Sequence, residues 1–79
     1  MKVYGLDKNK NKLEYDVIMT FKGSQDFVLY TDDSVDKNNN LIIYSAVYDP
    51  KTGLIVREPN SKKELKEIEE AFNSSIVNK

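Results

Sequence analysis

Leu41-Ile42-Ile43-Tyr44-Ser45-Ala46-Val47-Tyr48-Asp49-Pro50-Lys51-Thr52-Gly53-Leu54-Ile55-Val56-Arg57 is a pair of apolar runs folded about a polar turn. An aspartate at position 49 can bond local backbone amides, Pro50 presets φ for the first turn position, and Gly53 can take the left-handed conformation that returns the chain. The stretch predicts a β-hairpin with strands over 41–49 and 54–57 and with Tyr48 across from Ile55. One face collects Leu41, Ile43, Val47, Leu54 and Val56, aliphatic except for Ser45. The other collects Ile42, Tyr44, Ala46, Tyr48, Ile55 and Arg57, which are amphipathic or mixed. The aliphatic face is the expected core.

Upstream, residues 13–21 alternate with period two. Leu13, Tyr15, Val17, Met19 and Phe21 share one side and Glu14, Asp16, Ile18 and Thr20 the other, as in a strand with one dry face. Short β-compatible runs over 2–6 and 26–31 flank it, separated by the polar links Asp7 to Lys12 and Lys22 to Gln25. Downstream, Ser61 followed by Glu64 forms a capping-box pattern ahead of Leu65, Ile68, Ala71, Phe72 and Ile76, which predicts an amphipathic helix over 62–76. Lys62 and Lys63 sit in its first turn while Glu67, Glu69 and Glu70 come later, against the macrodipole preference, so packing is expected to hold the helix. Phe72 is the expected anchor. The fold expected is a single α+β domain over residues 1–79: an antiparallel four- to five-stranded β-meander with one C-terminal α-helix packed on one face.

Composition narrows the function. The 79 residues carry 12 basic and 13 acidic side chains and neither cysteine nor histidine. That balance of charge gives no overall pull toward nucleic acid or anionic lipid. Thiol nucleophiles, histidine general bases, disulfides, and zinc sites built on thiolate or imidazole are excluded. The carboxylates of Glu14, Asp16, Asp26 and Glu58 fall on predicted solvent faces or turns, and nothing poises Ser61, Ser74 or Ser75 against a lysine. No catalytic residue is therefore expected, and no enzyme. Residues Met1 to Asp7 lack an apolar core of signal-peptide length and no later run approaches the length of a membrane span, so a cytoplasmic protein without membrane contact is expected.

Two stretches imitate calcium loops, Asp7, Asn9 and Asn11, and Asp32, Ser34 and Asp36. Lys12 and Lys37 stand where such a loop needs glycine, and Ile18 and Ile43 where it needs a bidentate glutamate, so both are expected to be polar loops, with no metal and no cofactor. The start of the helix, with Ser61, Lys62 and Lys63 near Arg57, is a candidate anion site, although ordinary capping accounts for the same residues. The main functional candidate is the tyrosine-rich face, where Tyr30, Tyr44, Tyr48, Ile55 and Arg57 are residue types enriched at interfaces. It points to an unidentified protein partner or a homodimer, through that face or through a strand edge. The polar loop from Thr31 to Asn40 is a further place for specificity, expected to be mobile.

The order of these segments resembles the bacterial domain of unknown function 1292, a family of small uncharacterised proteins. The resemblance is carried by Leu6-Asp7-Lys8-Asn9 ahead of Leu13-Glu14-Tyr15-Asp16-Val17, by Thr20-Phe21 and then Phe27-Val28-Leu29-Tyr30, and by Glu58-Pro59 leading into Lys63-Glu64-Leu65-Lys66-Glu67-Ile68 and Ala71-Phe72-Asn73. Typical members carry glycine in the first turn where this chain has Asn or Lys, proline where it has Thr31, and more acid overall. The resemblance implies a small bacterial cytoplasmic protein and brings no activity, catalytic residue or cofactor with it.

Overall fold

The computed structural model describes residues 1–77, with side chains through Asn73. Strands β1 (Lys2–Leu6), β2 (Lys12–Lys22), β3 (Asp26–Thr31), β4 (Tyr44–Asp49) and β5 (Leu54–Arg57) precede helix α1 (Lys62–Val77). Consecutive strands pair antiparallel, as a meander should, but β1 also pairs with β5 and closes the sheet into a small barrel. A meander with an odd number of strands brings its first and last strands together pointing the same way, so that closing pair is parallel. The expected open antiparallel sheet is corrected to a closed mixed one. The seam itself is one residue pair long, Tyr4 against Leu54, with the Tyr4 N–H donating to the Gly53 carbonyl at 2.8 Å.

Closure inverts the expected core. The barrel interior is built on Val3, Val28, Ala46 and Tyr48, with Tyr15, Val17, Tyr30 and Ile55 packed against them. Tyr48 is 8% exposed, whereas Val56, from the face assigned to the core, is 62% exposed, and Leu41 and Ile43 are exposed as well. Only Val47 of that aliphatic set is buried, together with Phe27 and Leu29 on the outer face of the barrel, where Leu29 faces α1 across a groove and the Phe27 ring lies near Gly23 and Glu67. The central strands β3 and β4 are thus dry on both sides. This is why Phe27-Val28-Leu29 and Ala46-Val47-Tyr48 are buried without alternation.

Two β-bulges divide the apolar residues between these layers. On β2, Val17 pairs with Tyr30 but Met19 pairs with Leu29, which leaves Ile18 as the extra residue. The bulge turns Tyr15 and Val17 into the barrel and Met19 and Phe21 toward the helix layer, where the Phe21 and Phe27 rings stack with centroids 5.1 Å apart. The single dry face expected over 13–21 is therefore two half-faces. On β5, Tyr48 lies across from Ile55 as the turn predicts, yet Val47 pairs with Arg57 and Val56 bulges out. Arg57 consequently leaves the tyrosine face and joins the helix side.

The turns follow their residues. Gly53 has a φ of 77°, its N–H donates to the Asp49 carbonyl at 2.7 Å, and the Asp49 carboxylate takes the Lys51 N–H at 2.9 Å. The segment expected to be a mobile loop is instead a small hairpin arm. Val35 pairs with Leu41, and the Thr31 hydroxyl, buried, donates to the Ile42 carbonyl at 2.9 Å and accepts the Asp33 N–H. The arm takes Leu41, Ile42 and Ile43 out of β4, which begins at Tyr44 rather than at 41. Its tip repeats the first link of the chain: in Asp7-Lys8-Asn9-Lys10-Asn11 and in Asp36-Lys37-Asn38-Asn39-Asn40 the leading carboxylate accepts the N–H groups two and four residues on. The fourth residue of each, Lys10 or Asn39, takes a φ of 64°. Both calcium-like stretches are thus loops whose aspartates bind backbone amides, Asp7 in the first and Asp32 and Asp36 in the second.

Of the expected helix stripe, Ile68, Ala71 and Phe72 are half-buried and Leu65 is 54% exposed, while the Ile76 side chain lies outside the described residues. Phe27, fully buried between strand and helix, is therefore the anchor rather than Phe72. Phe27→Ala is expected to cost about 3–5 kcal/mol in a urea titration, and Phe72→Ala less than half as much. Equal losses would place the phenylalanines in equivalent environments.

Candidate functional site

The most buried described side chain in α1 is a glutamate. Glu64, 7% exposed, accepts Arg57 Nη1 at 2.9 Å on Oε1 and Nη2 at 2.8 Å on Oε2, a bidentate pair, and takes the Asn60 N–H at 3.1 Å. The Ser61 hydroxyl caps the helix by accepting the Glu64 N–H at 3.1 Å. The capping box is present as Ser61 and Glu64 imply, except that the glutamate reaches back to Asn60 and across to β5. One turn on, Glu67 accepts the Ser24 N–H at 2.7 Å and the Ser24 hydroxyl at 2.6 Å, fastening the helix to the β2–β3 turn. A side chain at Gly23 would collide with that carboxylate, so glycine there is what lets it approach. The helix is thus held by two carboxylates as well as by packing.

Hydrogen bonding to the Arg57 guanidinium, then to the Asn60 amide, holds the Glu64 carboxyl down to about 2. The Ser24 hydroxyl and amide lower Glu67 in the same way. This arrangement also bears on the anion candidate: the Arg57 guanidinium and the Asn60 and Glu64 N–H groups already have partners within the chain. Lys62 and Lys63 are exposed.

Helix, arm and barrel end together frame a continuous surface track. A cavity of about 360 Å³ opens where β1 and β5 part beyond Tyr4 and Leu54, lined by Gly5, Tyr15, Tyr30, Ile55, Arg57 and Glu58 among others. A second, of about 320 Å³, shares Tyr30 and Glu58 with it and adds Ile43, Tyr44, Ser45 and Pro59. A third, of about 270 Å³, shares Ile43, Tyr44 and Ser45 and continues between the arm and α1 over Leu29, Leu65, Ile68 and Phe72. A row of rings joins the first two, Tyr15 to Tyr30 at 4.9 Å and Tyr30 to Tyr44 at 5.5 Å between centroids. Burial raises the Tyr30 pKa, helped by the neighbouring Tyr15 and by the negative charge of Glu58.

Of the five residues proposed from sequence for an interaction face, Tyr30, Tyr44, Ile55 and Arg57 line this track and Tyr48 does not. Tyr48 is barrel core, because its register partner Ile55 and its neighbours Ala46 and Val3 enclose it. Ile43, Leu65 and Glu58 also line the track, although their sequence positions point to core for the first two and to a turn carboxylate for the third. Among the described residues no group of acidic side chains is arranged to hold a metal ion, and no helix is long and apolar enough to cross a membrane. Comparison with protein-family models, with curated proteins and with solved structures finds no match.

A carboxyl held below its ordinary 4.5 adds stability that is complete above that value and is lost as pH falls toward about 2. The melting temperature of the wild type is therefore expected to fall steadily between about pH 4.5 and pH 2, and Glu64→Gln to be less stable at neutral pH with a flatter decline on acidification. An unchanged acid profile in Glu64→Gln would mean that other carboxyls carry the dependence.

Proposed function

We propose that this chain is a non-enzymatic protein-interaction module that takes its partner along the tyrosine-lined track. The observation that carries the reading is Tyr44, 38% exposed at the end of a stacked tyrosine row and flanked by exposed Ile43 and Leu65. Isolated apolar side chains on a surface mean little, but here they meet in a groove with a polar rim, the composition of a binding surface. The seam beside it, where β1 and β5 pair at one position only, supports a strand-edge route as well.

The second reading, a small-ligand or anion-binding domain using Ser61, Lys62 and Lys63, is less favoured because Glu64 already occupies the helix entrance. Absence of an enzymatic role, a bacterial cytoplasmic setting and membership of the domain of unknown function 1292 family are proposed on the same footing, the last supported by the order and spacing of its motifs.

Selection of displayed random peptides against the wild type is the test. Enriched peptides are expected to bind the wild type and to lose binding to the double variant Tyr44→Ser, Leu65→Ser, with circular dichroism unchanged. Peptides that bind both proteins equally, or no enrichment at all, would contradict the proposal. Phosphate shifting the amides of Ser61 to Glu64 in an NMR titration would favour the second reading instead.

A further inference from the structure

Resting on that reading, we propose that the cavity between Tyr30, Tyr44, Glu58 and Pro59 receives an arginine side chain from the partner. Two aromatic rings and one carboxylate line it, with no basic residue among its lining. The Glu58 side chain has no ion pair among the described residues. Arg57, the cation lining the adjoining cavity, does not neutralise it: its guanidinium is directed to the Glu64 carboxylate and to the Glu58 main-chain carbonyl, at 3.1 Å for the latter.

Tyr30 is packed between Tyr15 and Tyr44, so Tyr44 is the ring left to receive a cation, and beside Glu58 it makes a site of one sign. A guanidinium fits better than an ammonium. It is planar, so it lies flat against Tyr44, it is weakly hydrated, and its paired N–H groups match both oxygens of Glu58. The volume, about 320 Å³, is at the lower end of ligand pockets and suits one side chain rather than a cofactor. Burial first and then Tyr15 raise Tyr30, and the negative charge of Glu58 adds to the rise, as a carboxylate near this space would. Toward α1 the track is mainly apolar, through Leu65, Ile68 and Phe72 with Glu69 among them, whereas toward β5 it is mixed, with Ile55 beside Arg57 and Glu58. The partner segment is therefore an arginine followed, on the side that meets α1, by an apolar residue.

The test uses capped pentapeptides with a central arginine between leucines, and twins carrying citrulline or lysine in its place, titrated against the full chain by NMR. The arginine peptide is expected to shift the amides of Tyr30, Tyr44, Ser45 and Glu58 and to bind about tenfold more tightly than the neutral citrulline twin, with Glu58→Gln removing most of that difference. Binding of arginine and citrulline peptides with equal affinity, or no effect of Glu58→Gln, would overturn the charge assignment while leaving the track as a binding surface. A lysine twin that binds as tightly would overturn the assignment to a guanidinium. If no peptide moves these amides at millimolar concentration, the interaction reading falls with it.

Discussion

A buried carboxylate is unfavourable unless its oxygens are engaged, and in this chain the Glu64 carboxylate is engaged from two directions while its main-chain N–H is held by a third group. The last strand supplies the Arg57 guanidinium, the connecting segment supplies the Asn60 amide, and the Ser61 hydroxyl fixes the first turn from which Glu64 projects. These contacts set where α1 starts and how it lies over the barrel. The cover over Phe27, Leu29 and Val47, and the wall of Leu65, Ile68 and Phe72 beside the arm, follow from that placement. A helix whose apolar residues are only half-buried depends on such fixed points more than a fully packed one does.

The barrel depends on a different constraint. Five antiparallel neighbours close only through a parallel pair, and here that pair is a single residue on each strand. Closure also requires β2 to serve the interior at one end and the helix layer at the other, which an extra residue at Ile18 accomplishes. Val56 does the same on β5 and sends Arg57 to the helix side, where it meets Glu64. The bulge and the salt bridge are thus one device. Beyond the short seam the strands part, and the tyrosine row reaches the surface there.

Strand and helix positions were legible because period-two runs, the Asp49-Pro50-Lys51-Thr52-Gly53 turn and the Ser61 capping pattern act locally. What was not legible is which face lies inside. A tyrosine-rich face reads as half-exposed when a sheet is open and as core when the sheet rolls up, and rolling up depends on register and bulges set by contacts distant in sequence. The triplets Phe27-Val28-Leu29 and Ala46-Val47-Tyr48 carried the available signal, since an unbroken apolar run marks a strand buried on both sides. The candidate site was legible in part for the same reason. Tyr30, Tyr44, Ile55 and Arg57 meet the track, whereas Tyr48 belongs to the core and Glu58 looked like one more turn residue.

The placement of the start of the helix, and with it the groove wall that the proposed interaction uses, depends on the coupling of Arg57 to Glu64. A double-mutant cycle measures that coupling directly: urea titrations of the wild type, Arg57→Gln, Glu64→Gln and the double variant. The account predicts that each single change lowers stability and that the double change lowers it little further than either alone. Losses that simply add would show that the pair does not act as a unit, and would contradict the account.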